Sequence, residues 1–479
     1  MSPVKWFVTL AVLIIGSKVN AAIPRHMDEF IRVLEHVEAQ NPGLGPLGTV
    51  RALRHLAGYG DLFAESFLGS ANDDYSRAAL VLNVEFDDFI GKALRHRVSE
   101  GGEEVGVVLI RDGTTVAMAP LLLGIEAGLQ TKVDALHAVA LTRTLGLSFL
   151  AFHNSLLPQR LGPSGCWDSV TWPAMFTLPG KPSLATEALI NGGMDGIILG
   201  TEISLLTQRP PTLSGLLKQY YSYSLGPGGL DSAPRLISVL RRDNFRELVS
   251  AASLRKEVMS SMQVHWRLMG DVRAVGSKRI VKEGVQEFIQ SYANCPTIIP
   301  RCQWGAEPYR GTPTQLSPPL SYMYVHHTYE PGQPCLSFDQ CAADMRSMQR
   351  FHQDGNGWDD IGYSFVAGSD GNIYEGRGWA WQGAHTLGHN SKGYGVAIIG
   401  DFTSCLPSPR TLELVRERLP ACAVGSGHLS PGYIVHGHRQ LVNTSCPGDT
   451  LYREIQTWPH FRVTRNRCDT TVSKNHPFI

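Results

Sequence analysis

The stretch His436-Gly-His438-Arg-Gln-Leu-Val-Asn-Thr-Ser-Cys446-Pro-Gly lies near the carboxyl end of the 479-residue chain. It follows the short apolar run Tyr433-Ile-Val435, which predicts a buried strand. The imidazole of His438 and the thiol of Cys446 are therefore expected at the end of that strand and in the loop after it. Both side chains bind transition metals, but two protein ligands are too few to hold an ion alone.

A second apolar stretch, Tyr322-Met-Tyr-Val-His326-His327, supplies a candidate third ligand at another strand end. We hypothesise a zinc site made of His326, His438 and Cys446, with a fourth position left for water. Three protein ligands and one open position are typical of catalytic zinc. The pattern alone leaves an alternative open, since a His–Cys pair in an exported protein is also compatible with a polar pair plus half of a disulfide.

Further motifs extend along the same part of the chain: Cys302-Gln-Trp-Gly-Ala, Val325-His326-His327-Thr328, Met348-Gln-Arg-Phe-His352, Gly357-Trp358-Asp-Asp-Ile-Gly-Tyr363-Ser-Phe, Tyr374-Glu-Gly-Arg377-Gly-Trp379, Gly383-Ala-His385-Thr, Gly437-His438-Arg-Gln and Cys446-Pro-Gly. In this order they resemble a peptidoglycan recognition protein domain, related to phage-type N-acetylmuramoyl-L-alanine amidases. The resemblance covers residues 297 to 461 and implies a central mixed sheet with three main helices.

The resemblance also implies a chemistry. The substrate would be the amide bond between N-acetylmuramic acid and L-alanine in bacterial peptidoglycan, and the cofactor would be Zn²⁺. Tyr363 matches the active-site tyrosine of the family, whose hydroxyl can donate a hydrogen bond to the tetrahedral oxyanion. Thr444 stands where the phage relatives carry a catalytic lysine, and its hydroxyl can form a hydrogen bond but supplies no cation. Without the resemblance, Tyr363 would be interpreted as a packing residue.

Contacts to the muramyl peptide follow from the same resemblance. The matching positions are His352, Trp358, Tyr363, His385 and Asn390. The Gly357-Trp358 pair is associated with meso-diaminopimelate peptides, and Arg377 is expected to meet the extra carboxylate of that residue in a bidentate pair. For any single tryptophan, hydrophobic packing is an equally good interpretation.

The nine cysteines leave an odd thiol, which must be free, intermolecular or a ligand in an oxidising compartment. The family resemblance implies a local Cys335–Cys341 bridge and a second bridge between Cys302 and Cys422. If Cys446 is a zinc thiolate, the remaining eight can all pair. The sequence leaves the pairing of four others open: Cys166, Cys295, Cys405 and Cys468.

Residues 1–21 have the pattern of a secretory signal peptide. Lys5 precedes an apolar run that ends at Ile15, and Val19-Asn-Ala21 gives the small-residue cleavage pattern. We expect a secreted, extracellular protein with no membrane span. Lysine plus arginine equals aspartate plus glutamate, 43 each, so no electrostatic capture of nucleic acid is expected. The sequence gives no oligomeric state.

Residues 22–292 are predicted to form a mostly helical region of unknown role. Apolar residues at helical spacing support this from Met27 to Val37 and from Val133 to Leu147, and 244–269 is a further candidate helix. We find no ligand cluster or nucleophile motif there.

Residues 297–465 alternate predicted strands and helices, and 466–479 are predicted to be a tail. Ser337 and Gln340 form a capping-box pattern before a helix, and Asp370-Gly371 marks a hairpin. The fold class expected is mixed α/β, an amidase-like domain with a central mixed sheet flanked by helices. The bent helix expected near Pro420 and a last helix complete it.

Taken together, the sequence predicts a secreted zinc amidase, a hydrolase that acts on peptidoglycan in innate immunity. The role left open is antibacterial or detoxifying. The rival hypothesis is a non-catalytic protein that only binds peptidoglycan. The presence of His326, His438, Cys446 and Tyr363 together favours the enzyme, because family members that only bind typically lack the zinc cysteine.

Overall fold

The computed structural model describes residues 25–56, 107–130, 186–205, 212–222, 236–256, 259 and 277–464. The predicted signal peptide, the helix predicted from Val133 to Leu147 and the predicted tail lie outside these residues. Among the described residues, no helix is both long enough and apolar enough to cross a membrane.

Helices dominate the described part of the amino-terminal region. In chain order its elements are strand β1 (Arg25–His26), helices α1 (Met27–Gln40) and α2 (Pro46–Leu56), strands β2 (Val107–Leu109) and β3 (Thr115–Ala117), and helices α3 (Met118–Leu129), α4 (Thr186–Leu205), α5 (Leu213–Ser222), α6 (Ile237–Leu248) and α7 (Ser277–Ile289). The three strands form a small sheet in the order β1-β2-β3, which the sequence analysis missed. The helix expected over 244–269 is interrupted, because α6 ends at Leu248 and Val249 is extended. Residues 251–256 are helical again, and 260–269 lie outside the described residues.

The core of this region is built from the predicted face of α1 and from two helices in very close contact. Met27, Phe30, Leu34 and Val37 are all buried, as their spacing predicts. A Cβ added to Gly124 of α3 would come within 2.4 Å of the α4 backbone. Glycine therefore allows a helix crossing that any larger residue would force apart.

The carboxyl-terminal domain has the predicted mixed sheet. Its elements are β4 (Ile298–Ile299), α8 (Arg301–Trp304), β5 (Leu320–His327), α9 (Phe338–Arg350), β6 (Phe365–Ala367), β7 (Ile373–Glu375), β8 (Gly393–Ile398), α10 (Pro409–Glu413), α11 (Leu419–Gly425), β9 (Leu429–Gly437) and α12 (Asp449–Ile455). The strand order is β4-β7-β6-β8-β5-β9. Only β6 and β7 are antiparallel neighbours, and they form the predicted hairpin, in which Gly371 has a φ of 95°. The mixed α/β fold class is confirmed.

Both faces of this sheet are covered. Val396 and Ile398 of β8 belong to one hydrophobic cluster, whereas Ala397 and Ile399 belong to the cluster on the opposite face. This alternation is what a strand with a period of two requires. The same rule separates His326 from His327 on β5.

The amino-terminal region packs against the second of these clusters. Leu109 of β2 lies in the same hydrophobic cluster as Phe338 of α9. A Cβ on Gly113, whose φ is 81°, would lie 2.4 Å from the Phe338 ring. Asn372 Nδ2 donates to the backbone oxygen of Asp112 at 3.1 Å. The turn between β2 and β3 is therefore fitted to the amidase-like domain. The boundary predicted between residues 292 and 297 stays a prediction.

Helix ends in this domain follow local chemistry. The Ser337 side chain accepts a hydrogen bond from the backbone N–H of Gln340, as the capping pattern predicts. The helix expected to bend near Pro420 is a succession of α10, the π-helical segment Leu414–Arg418 and α11. Pro420 lies just after the π-helical segment, inside this continuous helical stretch, where its missing N–H removes one bond from the helical ladder.

One predicted disulfide is confirmed and another is wrong. Cys335 and Cys341 are bonded, with Cα atoms 5.1 Å apart. Cys422 is bonded to Cys295, at a Cα distance of 4.7 Å, and not to Cys302. The reason is packing: Cys295 follows the π-helical segment Gln290–Asn294, and a Cβ on Gly425 would lie 2.1 Å from the Gln290 side chain. That segment thus lies directly against α11.

Two thiols among the described residues are free, the exposed Cys405 and the partly buried Cys446. Cys405, whose pairing the sequence left open, is therefore unpaired. The free state of Cys446 agrees with its predicted role as a ligand.

Candidate active site

Two histidines meet because two parallel strands end side by side. In the register of β5 and β9, Val325 lies opposite Gly437. The residues that follow these two, His326 and His438, therefore lie at the same edge of the sheet. Their ring centroids are 4.3 Å apart.

A tight loop brings Cys446 to the same edge. The backbone N–H of Arg439 donates to the backbone oxygen of Cys446 at 3.0 Å, which closes the loop on itself. The Cys446 Sγ then lies 3.7 Å from His326 Nδ1. Gly448, with a φ of 91°, lets the chain leave the loop against Phe402, where a Cβ would lie 2.4 Å from the backbone.

The three predicted ligands form one cluster. One ligand atom from each of His326, His438 and Cys446 lies within 4.8 Å of the other two. Two nitrogen donors and one sulfur donor are a combination that zinc accepts. The three predicted residues therefore lie close enough to share one ion, and their donor atoms fit zinc.

The electrostatic state of the cluster suits metal binding. Burial lowers the pKa of His326 well below its ordinary value, with further lowering by His438 and His385. Burial also lowers the pKa of His438 to about 4, so both imidazoles are neutral at neutral pH. Burial raises the pKa of the Cys446 thiol to about 12. A thiolate at this position thus requires a cation beside it, and a metal ion supplies one.

Tyr363 lies beside this cluster. Its ring centroid is 5.5 Å from that of His326. Burial, with a smaller effect of Cys446, raises the pKa of its hydroxyl above the usual range, which keeps the hydroxyl protonated and able to donate. Its backbone is fixed because the N–H of Arg377 donates to the Tyr363 oxygen at 2.9 Å.

Thr444 supports the loop. Its hydroxyl oxygen accepts a hydrogen bond from the backbone N–H of Cys446 at 3.2 Å. A threonine bonded in this way stabilises a turn. The geometry thus ties Thr444 to the position of Cys446.

His327 lies on the other face of β5 from His326, since side chains alternate along a strand. Its Nδ1 accepts a hydrogen bond from the backbone N–H of Phe402 at 3.3 Å and lies 3.6 Å from the Asp401 carboxylate. These contacts tie the end of β5 to the loop after β8.

An aromatic group borders the cluster. The His352 ring stacks on Trp358 at 4.8 Å and meets Tyr363 edge to face at 5.6 Å. Gly362 donates its backbone N–H to His352 Nδ1 at 3.2 Å, and burial lowers the pKa of His352 to about 4. Trp358 is 36% exposed, so one of its faces is available to a sugar or peptide.

Arg377 is buried beside the 360–363 segment, and its pairing with a substrate carboxylate stays a prediction. The residue is only 6% exposed. Its guanidinium donates to the backbone oxygens of Ile361 at 2.7 Å, Gln382 at 3.0 Å and Asp360 at 3.3 Å. These bonds use three of its five N–H donors. Arg377 therefore holds the segment that ends in Tyr363.

His385 and Asn390 belong to the loop before β8, and Asn390 holds the backbone of that loop. Asn390 Oδ1 accepts hydrogen bonds from the backbone N–H groups of His385 at 3.0 Å and Thr386 at 2.7 Å. The His385 ring lies 5.5 Å from that of His326. Burial lowers the pKa of His385 to about 3.

Two buried groups were missed by the sequence analysis. Arg301 and Asp360 form an ion pair of 2.9 Å with both side chains fully buried, beside the segment that carries Tyr363. Thr386 lies between two histidines of the site. Neither carries a spacing signal in the sequence, although Thr386 belongs to the Gly383-Ala-His385-Thr motif.

Known proteins resemble this chain both in its carboxyl-terminal domain and along most of its length. A family profile described as N-acetylmuramoyl-L-alanine amidase matches residues 316–449. A human N-acetylmuramoyl-L-alanine amidase is 38% identical, over 98% of this chain and 96% of its own length. A mouse protein of the same name is 41% identical over 80% of this chain and 83% of its own length.

A fly protein widens the family. The Drosophila melanogaster peptidoglycan-recognition protein SA is 44% identical over 36% of this chain and 83% of its own length. The relatives that match most of the chain carry the name of the enzyme, which decides between the two hypotheses in favour of catalysis. The chain belongs to the peptidoglycan recognition protein family and is an N-acetylmuramoyl-L-alanine amidase.

Proposed function

We propose that this amidase is zinc-dependent, with the ion held by His326, His438 and Cys446. The observation that carries the proposal is that one ligand atom from each residue lies within 4.8 Å of the others. When bound, zinc supplies a Lewis acid that polarises the scissile carbonyl and lowers the pKa of water from about 15.7 toward 7.

The protein side of the reaction rests on Tyr363. Its protonated hydroxyl stands beside His326 and donates a hydrogen bond to the oxyanion that forms when the amide carbonyl between muramic acid and L-alanine is attacked. A donor fixed before the reaction stabilises this charge without reorganising at that moment. Thr444 contributes by holding Cys446 through the hydrogen bond to its backbone N–H.

The muramyl peptide would lie along the aromatic group. Trp358 and His352 offer stacked faces, and His385 lies beside the metal ligands. Asn390 orients the loop that carries His385. A groove with ring faces on one side and a metal edge on the other suits a sugar joined to a peptide.

Preference for meso-diaminopimelate peptides is a further part of the proposal. It is supported by Arg377, whose bonds to the backbone oxygens of Asp360, Ile361 and Gln382 leave two further N–H donors on the guanidinium. Replacing Arg377 by Ala loosens the segment for every substrate, so the informative quantity is the ratio of kcat/KM for diaminopimelate and lysine peptides. We expect this ratio to fall toward one. An unchanged ratio, at any overall rate, contradicts the preference.

The protein is proposed to be secreted and to act on bacterial peptidoglycan outside the cell. The disulfides Cys295–Cys422 and Cys335–Cys341 support this compartment, because such bonds persist in oxidising surroundings.

The decisive experiment compares two cysteine variants. Full-length protein is assayed on purified peptidoglycan with and without chelator, and new amino termini are counted separately from new reducing ends. Wild type should release L-alanine amino termini, and both chelator and Cys446→Ser should abolish the release.

Cys405→Ser is the matched control, since Cys405 is also a free thiol but is exposed. It should keep wild-type activity and zinc content. Full activity of Cys446→Ser, or activity that resists complete removal of zinc, contradicts the proposed centre.

A further inference from the structure

Thr386 stands between two histidines of the site. Its hydroxyl oxygen lies 3.4 Å from His326 Nε2 and 3.0 Å from His385 Nδ1. The residue is fully buried, so water does not compete for its hydroxyl. The three side chains form a continuous hydrogen-bonded row that runs from the proposed ligand cluster to His385.

The row is held in place from several sides. Asn390 Oδ1 accepts the backbone N–H of Thr386 at 2.7 Å and that of His385 at 3.0 Å. The His385 ring fills the space left by Gly395 on β8, where a Cβ would come within 2.2 Å of the ring. The hydroxyl of Thr386 therefore has little freedom to turn toward another partner.

Hydrogen-bonding chemistry then fixes the direction of each bond. His326 Nδ1 is the nitrogen that faces Cys446 Sγ, at 3.7 Å, so in a metal ligand this atom needs its lone pair. A neutral imidazole has one N–H, which must then be on Nε2, where it donates to Thr386 Oγ1. A hydroxyl has a single proton, and the threonine donates it to His385 Nδ1.

We propose that Thr386 is a positioning residue that sets the tautomers of His326 and His385 together. It orients His326 as a ligand through Nδ1 and leaves His385 with its N–H on Nε2. This inference rests on the proposed zinc site. Partners of this kind, outside the ligands themselves, raise metal affinity by fixing the ligand ring.

The second end of the row gives the proposal a consequence for substrate. His385 Nε2 is buried and has no hydrogen-bond partner among the described residues. An N–H donor left unpaired inside a protein costs free energy, which a ligand acceptor recovers. His385 therefore presents a donor to a carbonyl oxygen of the muramyl peptide, and Thr386 is the reason that it is a donor.

Zinc affinity tests the metal end of the row. Full-length wild type, Thr386→Val and Thr386→Ser are titrated against a chelator of known zinc affinity. Thr386→Val keeps the shape and removes the hydroxyl, and we expect roughly 10- to 100-fold weaker zinc binding. Thr386→Ser keeps the hydroxyl and should stay within about threefold of wild type. Equal affinity of wild type and Thr386→Val overturns the inference, as does an equal loss in both variants.

The tautomer of His385 is a second readout that needs no variant and no activity. In wild-type protein with ¹⁵N-labelled histidine, NMR should find the His385 proton on Nε2. A proton on His385 Nδ1 overturns the inference, even if Thr386→Val fails to fold. A wild type that binds no zinc would instead contradict the proposed function, so the two failures are distinguishable.

Discussion

Buried ionisable side chains occur in both halves of this protein, but they are satisfied in opposite ways. In the amino-terminal region, the Asp195 carboxylate receives hydrogen bonds from Tyr220 at 2.8 Å, from Tyr221 at 2.8 Å and from Arg241 Nη2 at 2.6 Å. Arg241 also donates to Thr114 at 2.7 Å. The hydrogen bonds of this closed network therefore all run between side chains of the protein.

The amidase site remains open. His385 Nε2 is buried without a partner among the described residues, and three metal-ligand atoms face one another at the sheet edge. Burial of charge alone does not mark function in this protein. At the amidase site a buried donor without a protein partner and three facing ligand atoms occur together, and that combination points to a metal and a substrate.

The largest effect is expected from a variant that breaks the hydrogen-bonded network around Asp195. Arg241→Met leaves the Asp195 carboxylate buried without its cation, and we expect a loss of about 3–5 kcal/mol in the free energy of unfolding. Because the network lies away from the site, amidase kcat/KM of the folded protein should stay within about twofold of wild type. Urea unfolding and the peptidoglycan assay measure the two quantities.

Lys218→Met is the control for that variant. Lys218 pairs with Glu35 at 2.9 Å, but both side chains are largely exposed, so the loss should be at most about 1 kcal/mol. If Arg241→Met costs no more than Lys218→Met, the closed network is not what stabilises this region.

The next largest effect is expected from a variant that removes one hydroxyl from the amidase site. Tyr363→Phe deletes the hydroxyl proposed to stabilise the oxyanion, and kcat should fall about 10²- to 10³-fold. Zinc affinity and unfolding free energy should change little, since the ring remains.

Tyr394→Phe is the matched control in the same domain. Tyr394 is also buried, but its hydroxyl donates to the backbone oxygen of Trp379 at 3.0 Å, a closed bond. This variant should lose about 1 kcal/mol of stability and no activity. A similar kcat in Tyr363→Phe and wild type would remove the tyrosine from the mechanism.

The open site was more predictable from the sequence than the closed network. His326 and His438 follow apolar strand patterns, and parallel neighbouring strands bring their carboxyl ends together. The motifs around Tyr363 and Cys446 supplied the rest by resemblance. In contrast, Asp195 and Arg241 are separated by 46 positions, and no local pattern links them.

The wrong disulfide has a long-range origin. Cys295 and Cys422 are 127 positions apart, and their pairing is decided by which helical segments pack in space. Likewise, the bonds of the Arg377 guanidinium to backbone oxygens depend on the fold of the 360–363 segment. The hairpin of β2 and β3 is different, because Asp112-Gly113 between the two strands is a local turn signal that the sequence analysis did not use.

The smallest expected effect concerns a half-buried histidine outside the site. His428 stacks on Trp379 at 4.7 Å, and burial lowers its pKa to about 4. An unfolded chain binds this proton near pH 6.5, so between pH 6.5 and 4 the unfolded state binds more protons than the folded state. Stability contributed by His428 is therefore present above pH 6.5 and is lost as the pH falls through this window.

His428→Gln removes this titration. The variant tests whether a neutral imidazole held by packing, unlike His385 with its unpartnered Nε2, affects stability alone. We expect the urea midpoint of the variant to fall less than that of wild type between pH 7 and pH 4.5, while amidase activity at pH 7 stays unchanged. Parallel declines of the two proteins would mean that His428 binds its proton equally in both states. A loss of activity at pH 7 would mean that the stack of His428 on Trp379 supports the site, and the distinction between packed and open histidines would then fail for this residue.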